Sequence, residues 1–184
     1  LVENQTSQSR VTDNAIDIFG YTAVNSEETL TIDVENNVIN FYYVPRTDFK
    51  YTIHYVDDST MEDIIAPKVV ENAVYGERYA EEAVEIEGYV ISDPAVNIRV
   101  TKDNMEFHLR YSKRTDLSYT VEYYFDGIID ETLTEIVNNQ TFKAEINSYT
   151  DKVKAGYKLE SANVPLVVGV SDNVIKVYYI ADDT

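Results

Sequence analysis

YTIHYVDD at residues 51–58 returns as YTVEYYFD at residues 119–126, one period of 68 residues later (119 minus 51). In the first copy Tyr51, Ile53 and Tyr55 alternate with Thr52, His54 and Val56; in the second, Tyr119, Val121 and Tyr123 alternate with Thr120, Glu122 and Tyr124. A period of two with large apolar groups on one side is the pattern of a strand that buries one face. The same step of 68 connects Gly20-Tyr21, Gly88-Tyr89 and Gly156-Tyr157, and it places Tyr43, Tyr111 and Tyr179 at one repeat position. Self-similarity at such a period marks a repeat array, in which each unit is one small supersecondary assembly.

Aligned without gaps, the period divides the chain into residues 1–48, the last two thirds of a unit, and two complete units at 49–116 and 117–184. PRTD (45–48) and KRTD (113–116) align with each other as short polar links. Outward from the opening strand come acidic turns, Asp57-Asp58 and Asp126-Gly127, the second a hairpin signal. Phe142, Ile146, Tyr149 and Val153 then follow at spacings of four, three and four, which predicts one face of a helix. Tyr75, Tyr79, Ala83 and Ile86 are the second-unit counterpart. Gly76 would weaken a helix there by up to about 1 kcal/mol relative to alanine.

After Gly-Tyr, alternation resumes at Leu30, Ile32 and Val34, at Val96, Ile98 and Val100, and at Leu166, Val168 and Val170. It closes at Ile39, Phe41 and Tyr43, at Phe107, Leu109 and Tyr111, and at Ile175, Val177 and Tyr179. Strand, strand, helical segment, strand, strand within one period is an α+β pattern. The expected fold is a tandem of small β-grasp-like (ubiquitin-like) domains, strand-rich, with one short helical segment per repeat. Tyrosine, 16 of 184 residues, supplies much of the apolar area in units this small.

With 44% hydrophobic and 26% charged residues the chain can bury a core, and its formal net charge of -18 repels nucleic acid and anionic membranes. The absence of cysteine excludes disulfides, thiolate metal sites and thiol nucleophiles. No apolar run approaches the roughly 18 residues of a membrane span, so direct membrane insertion is not expected. The sequence starts in mid-pattern at Leu1, as expected of a stretch of a longer protein.

Phosphate loops, HExxH and GxSxG are absent, and no enzyme is expected. His54 aligns with Glu122, and His108 with Asn40 and Lys176, so neither histidine follows the repeat; they would meet if first and last strands were neighbours. Oxygen-rich turns can hold calcium, which makes Asp57, Asp58, Asp126 and Asp130 a candidate ligand set, though their spacing fits no EF-hand loop. Such a charge run is more often a solvated face, and the expectation is no cofactor. The outward face of the sheet is the best recognition surface: Tyr124 beside Tyr178, Tyr42 at the matching place in the first unit, and Arg110 in its place in the second, near His108. The plainer reading is that these side chains only cover the sheet or pack on the neighbouring repeat.

YTIHYVDD, IAP (65–67), YGERY (75–79) and EIEGY (85–89), and in the third unit YTVEYYFDG, YTDK (149–152), AGYKL (155–159) and NVIKVYY (173–179), together resemble the MucBP-type (mucin-binding protein) repeat of Gram-positive cell-wall-anchored surface proteins. The resemblance spans nearly the whole chain. It departs at EFHLRYS (106–112), less aromatic than the usual closing strand, and in the missing opening strand of the first unit. It implies extracellular display through an LPXTG-type anchor elsewhere in the protein and, for adhesin members, binding of host mucin or another glycoprotein or glycan. The alternative is a mechanical stalk that projects a distant binding domain, its partners being the neighbouring repeats.

Overall fold

Alternating residues become strands in this chain, and almost nothing becomes a helix. The computed structural model describes residue 3 and residues 5–182. In chain order the strands are β1 (Arg10–Asn14), β2 (Tyr21–Ala23), β3 (Glu27–Thr31) and β4 (Tyr43–Pro45). Next come β5 (Phe49–Asp57), β6 (Lys68–Ala73), β7 (Arg78–Glu82), β8 (Tyr89–Ile91), β9 (Ala95–Arg99) and β10 (Met105–Lys113). The last group is β11 (Leu117–Phe125), β12 (Ile128–Ile129), β13 (Glu135–Gln140), β14 (Glu145–Ile146), β15 (Tyr157–Ala162), β16 (Leu166–Val167) and β17 (Val174–Ala181). They form small sheets: β1-β3, β2-β4, β7-β9, β14-β16, the four-stranded β6-β5-β10-β8, and β12-β11-β17-β15 with β13 also on β11.

Two compact units divide the chain. One takes in residues up to Tyr55 with Ile65–Glu82 and Ala95–Leu109; the other takes in Val56–Ile64, Ala83–Pro94 and Arg110 onward. In the second, β11 and β17 run parallel in register from Thr120↔Val174 to Phe125↔Tyr179. Parallel register turns the same alternate residues inward. Val121, Tyr123 and Phe125 meet Ile175, Val177 and Tyr179, all nearly inaccessible to water, with Leu133, Ile146, Tyr149 and Leu166 packed against them. Each such burial contributes about 1.5–3 kcal/mol before chain entropy is set against it. In the other unit the core is Phe49, Tyr51, Ile53, Ile98 and Leu109. No described residue before Phe49 joins the buried hydrophobic core; Val34, expected on a buried strand face, is 85% exposed. Among the described residues β4 pairs with β2 alone, in a two-stranded sheet.

The strands follow the period closely at their ends and slip by one residue between. β11 begins and ends 68 residues after β5 (117 minus 49, 125 minus 57), and Arg10↔Thr31 in β1-β3 returns as Arg78↔Arg99 in β7-β9. β13, however, begins 67 residues after β6 (135 minus 68), and Ile146↔Leu166 answers Tyr79↔Ile98 at steps of 67 and 68. The gapless alignment is therefore corrected. Asp126-Gly127 closes β11 onto β12 with φ of 47° and 80°, the two left-handed positions of a tight hairpin, whereas the equivalent turn after β5 is a wider loop.

The helical segment is a second correction, and with it the β-grasp expectation loses its helix layer. Among the described residues the single helical stretch is a 3-10 turn, Glu131–Leu133, capped by Asp130. Phe142 sits in a turn, Ile146 in β14, and Val153 is 91% exposed. Tyr79, the second-period counterpart of Ile146, lies in β7. A left-handed residue interrupts each segment, Gly76 at φ 83° and Lys143 at 62°, and another stands just before it, Asn72 and Asn139 at 58°. A right-handed helix cannot run through such positions. The observed class is a strand-rich assembly of small sheets.

The irregular segment before each Gly-Tyr is instead held by the closing-strand tyrosine. Tyr43 donates its hydroxyl to the Ile16 carbonyl at 2.8 Å. Tyr111 donates to the Val84 carbonyl at 2.9 Å and accepts the Val84 N–H at 3.1 Å. Tyr179 accepts the Lys152 N–H at 3.0 Å and donates to Asp151. Burial pushes Tyr123 and Tyr179 up to about 12 from 10.0. A tyrosine whose folded pKa is raised stabilises the fold fully below pH 10.0 and loses that contribution as pH climbs toward about 12, because only the unfolded chain ionises easily there. The tyrosine contribution to stability is expected to be level up to pH 10.0 and to fall beyond it, less steeply in Tyr179→Phe, when denaturant unfolding is followed by circular dichroism at alkaline pH.

Candidate functional site

Residues of β11 and β17 that alternate with the buried ones form the outward strip. Tyr124 lies opposite Tyr178, their rings stacked at 5.0 Å and 25°. The Tyr124 hydroxyl donates to Glu122 Oε2 at 2.7 Å, which raises its pKa; Glu122 itself lies opposite Lys176. His54 and His108, on neighbouring strands, stack at 5.1 Å and 22°. Tyr42 precedes β4 and is 71% exposed, its carbonyl taking the Val24 N–H at 2.8 Å. Arg110 is engaged: Nε and Nη2 reach Asp93 at 2.7 and 3.3 Å, and Nη1 reaches Asp58 at 3.4 Å. Of the expected binding residues, the structure brings Tyr124 to Tyr178 and His108 to His54, while Arg110 is neutralised by two carboxylates.

The acidic turns serve the backbone. Asp57 accepts the Ser59 N–H and hydroxyl at 2.9 and 2.5 Å, with Lys113 Nζ at 3.4 Å, and the Ser59 bond holds its carboxyl below the usual range. Asp126 accepts the Ala181 N–H at 3.0 Å, and Asp130 accepts the Thr132 N–H and hydroxyl at 3.2 and 2.6 Å. Among the described residues no three Asp, Glu or His side chains converge as metal ligands.

A more elaborate constellation surrounds the Gly-Tyr pairs. Gly20 and Gly88 have φ of 82° and 81°, and the rings of Tyr75 and Phe142 lie so close over them that a Cβ at either glycine would stand 2.4 Å from ring carbons. Backbone bonds frame each ring. The Arg46 N–H donates to the Gly20 carbonyl at 2.9 Å, and the Tyr75 N–H to the Arg46 carbonyl at 2.9 Å. One period on, Arg114 donates to Gly88 at 3.0 Å and Phe142 to Arg114 at 2.8 Å. The two arginines fork onto Asp48 and Asp116, Nε to Oδ1 at 2.9 Å in both. Being exposed, these ion pairs orient the link more than they stabilise it.

Tyr21 meets the Tyr75 ring nearly edge-on at 5.5 Å and 73°, and Tyr89 meets Phe142 at 5.6 Å and 76°. The first joint adds Phe19 and Phe49, at 5.7 and 5.5 Å from Tyr75. The second instead has Lys143 Nζ over Phe142 and Tyr89, at 5.4 and 5.6 Å. In the sequence PRTD (45–48) and KRTD (113–116) read as polar links, with no sign of the rings beside them. Tyr75 and Phe142 stand 67 residues apart (142 minus 75), so a gapless alignment sets Tyr75 against Lys143.

No family model matches the chain, and no curated protein matches it. Several solved structures are similar to it, two of them repeats of bacterial surface proteins. One comprises domains 3-4 of the Streptococcal High Identity Repeats in Tandem from a cell surface protein, 10% identical, covering 73% of this chain and 98% of that one with a TM-score of 0.28. The other is the type 2 repeat of the mucus binding protein MUB from Lactobacillus reuteri, 15% identical, covering 73% and 100%, with a TM-score of 0.24. Likeness at this level leaves the functional argument to the chain's own geometry. No helix among the described residues is long and apolar enough to cross a membrane.

Gly127 is a built-in control for Gly88, since its φ of 80° is close to that of Gly88 but, among the described residues, nothing lies within 4 Å of where its Cβ would be. Gly127→Ala is expected to cost only the left-handed penalty of about 1–2 kcal/mol. Gly88→Ala adds the displacement of the Phe142 ring, about 1–3 kcal/mol more. Denaturant unfolding of the two variants checks this, and equal costs would remove the ring from the glycine.

Proposed function

We propose that this chain is a stretch of the repeat array of an extracellular bacterial surface protein. Its repeats, part of one at 1–48 and complete ones at 49–116 and 117–184, act as a mechanical stalk. The observation that carries this reading is the parallel pairing of β11 with β17, the first and last strands of the 117–184 repeat. Tension applied through the two ends of that repeat pulls these strands past each other, so the bonds along Thr120↔Val174 to Phe125↔Tyr179 are loaded together instead of one at a time. The joints at Gly20 and Gly88 support the same reading, because a stalk needs fixed contacts between successive units. Cell-wall anchoring and the absence of catalysis or cofactor belong to this proposal, the anchoring on the strength of the sequence resemblance.

Tyr124 and Tyr178 favour a second reading, an adhesin surface for host mucin or another glycoprotein or glycan. Stacked half-exposed rings flanked by Glu122 and Lys176 offer an apolar face and polar edges. Purified chain applied to immobilised mucins and a glycan array separates the readings. The stalk expects no saturable binding with or without calcium, and an unfolding temperature that calcium leaves unchanged. Saturable binding lost in Tyr124→Ala and Tyr178→Ala establishes the adhesin instead.

The absence of cysteine allows the stalk reading to be tested mechanically with introduced thiol handles. Pulling through the two ends of 117–184 is expected to require markedly more force than pulling through Ile128→Cys, paired with the last residue of β11, and Asp182→Cys, just past β17. Equal forces in the two geometries would sink the stalk.

A further inference from the structure

Gly156 follows Gly88 by one period and repeats its construction. Its φ is 79°, Tyr157 follows it, and its carbonyl accepts the Asp182 N–H at 2.8 Å, as Gly20 and Gly88 accept Arg46 and Arg114. Its face differs: a Cβ on Gly156 would meet nothing within 4 Å among the described residues. Asp182 stands in place of the arginine and pairs with Lys158 at 3.3 Å. Tyr157 packs edge-on against Phe125 at 5.0 Å, with Lys154 Nζ 4.2 Å from Phe125 and 5.4 Å from Tyr157. The backbone of the joint is in place and the ring is not.

We propose that the Gly156 face is a third socket, and that it takes an aromatic ring from a further repeat of the same kind. This rests on the repeat-array reading. The two filled sockets say what the incoming segment is: a Tyr or Phe three residues after a left-handed Asn, as Tyr75 follows Asn72 and Phe142 follows Asn139, with its own N–H donated to the residue-182 carbonyl. Asp182 in the arginine's place suits a basic residue beside the ring, as Lys143 lies beside Phe142. A second copy of this chain is a poor donor. Its Tyr75 and Phe142 already cover Gly20 and Gly88, and the first-period position that answers Tyr75 is Ser7 (75 minus 68).

The test is the chain extended after residue 184 by a further copy of residues 117–184. Spin labels go on cysteines at Val153, 91% exposed, and at the same position of the appended copy; Glu85 and Val153, one period apart, report the second joint. The extended chain is expected to give a narrow distance distribution across the third joint. That narrow distribution should be lost in Gly156→Ala and also when the appended copy's counterpart of Phe142 is changed to alanine. A distribution that is broad from the start, or stays narrow in both variants, overturns the socket. Gly88→Ala with the Glu85–Val153 pair separates the two claims. If it broadens the second joint while the third shows no ring dependence, only the third socket falls; if Gly88→Ala has no effect either, the joints of the array reading fall with it.

Discussion

Side-by-side parallel pairing of β11 and β17 is the constraint on which the core of the second compact unit depends. It joins residues 54 apart (174 minus 120), a closure that costs chain entropy and must be offset by what the closed strands bury. Tyr123, Phe125 and Tyr179 meet that cost, because an aromatic ring removes a large apolar area from water at few rotatable bonds. The two tyrosine hydroxyls then set the surroundings: Tyr123 donates to the Thr150 carbonyl at 2.6 Å and Tyr179 accepts the Lys152 N–H at 3.0 Å, tying an irregular segment to the sheet without a helix.

Closure also determines where the joints fall. Only Arg114, Thr115 and Asp116 separate β10 from β11, and only Arg46, Thr47 and Asp48 separate β4 from β5. A link so short carries the arginine backbone from the end of one closing strand to the start of the next opening strand. There its N–H reaches back to the glycine and its carbonyl forward to the incoming ring. Glycine is needed at Gly20 and Gly88 because of the ring above it. Left-handed φ alone does not demand it in this chain, which reaches that region with Asn72, Asn104, Asn139 and Lys143.

The strands with one buried face were legible because period-two alternation reports burial directly: Tyr51, Ile53, Leu109, Tyr111, Ile175 and Val177 are buried as the pattern predicts. Adjacency of Tyr124 with Tyr178 and of His54 with His108 was legible once first and last strands were set side by side. The middle of the repeat was not. Spacings of four and three at Phe142, Ile146, Tyr149 and Val153 mimic a helix face, although Lys143 and Asn139 sit in left-handed conformations no hydropathy pattern reveals. Arg110 read as part of the recognition surface, and its pairing was hidden because Asp93 and Asp58 lie 17 and 52 residues from it in sequence. The sockets were hidden by the one-residue slip, which removes the covering ring from a constant place in the period.

The Arg46 and Arg114 segments are held in the folded structure by backbone bonds to Gly20 and Gly88 and to the rings' own amides. Amide hydrogen exchange tests that most directly at two sites, the Tyr75 N–H bonded to the Arg46 carbonyl and the Phe142 N–H bonded to the Arg114 carbonyl. Both are predicted to exchange as slowly as the amides of β11, opening only when the surrounding structure opens. Exchange at the rate of an exposed turn at either site, with β11 still protected, would contradict it.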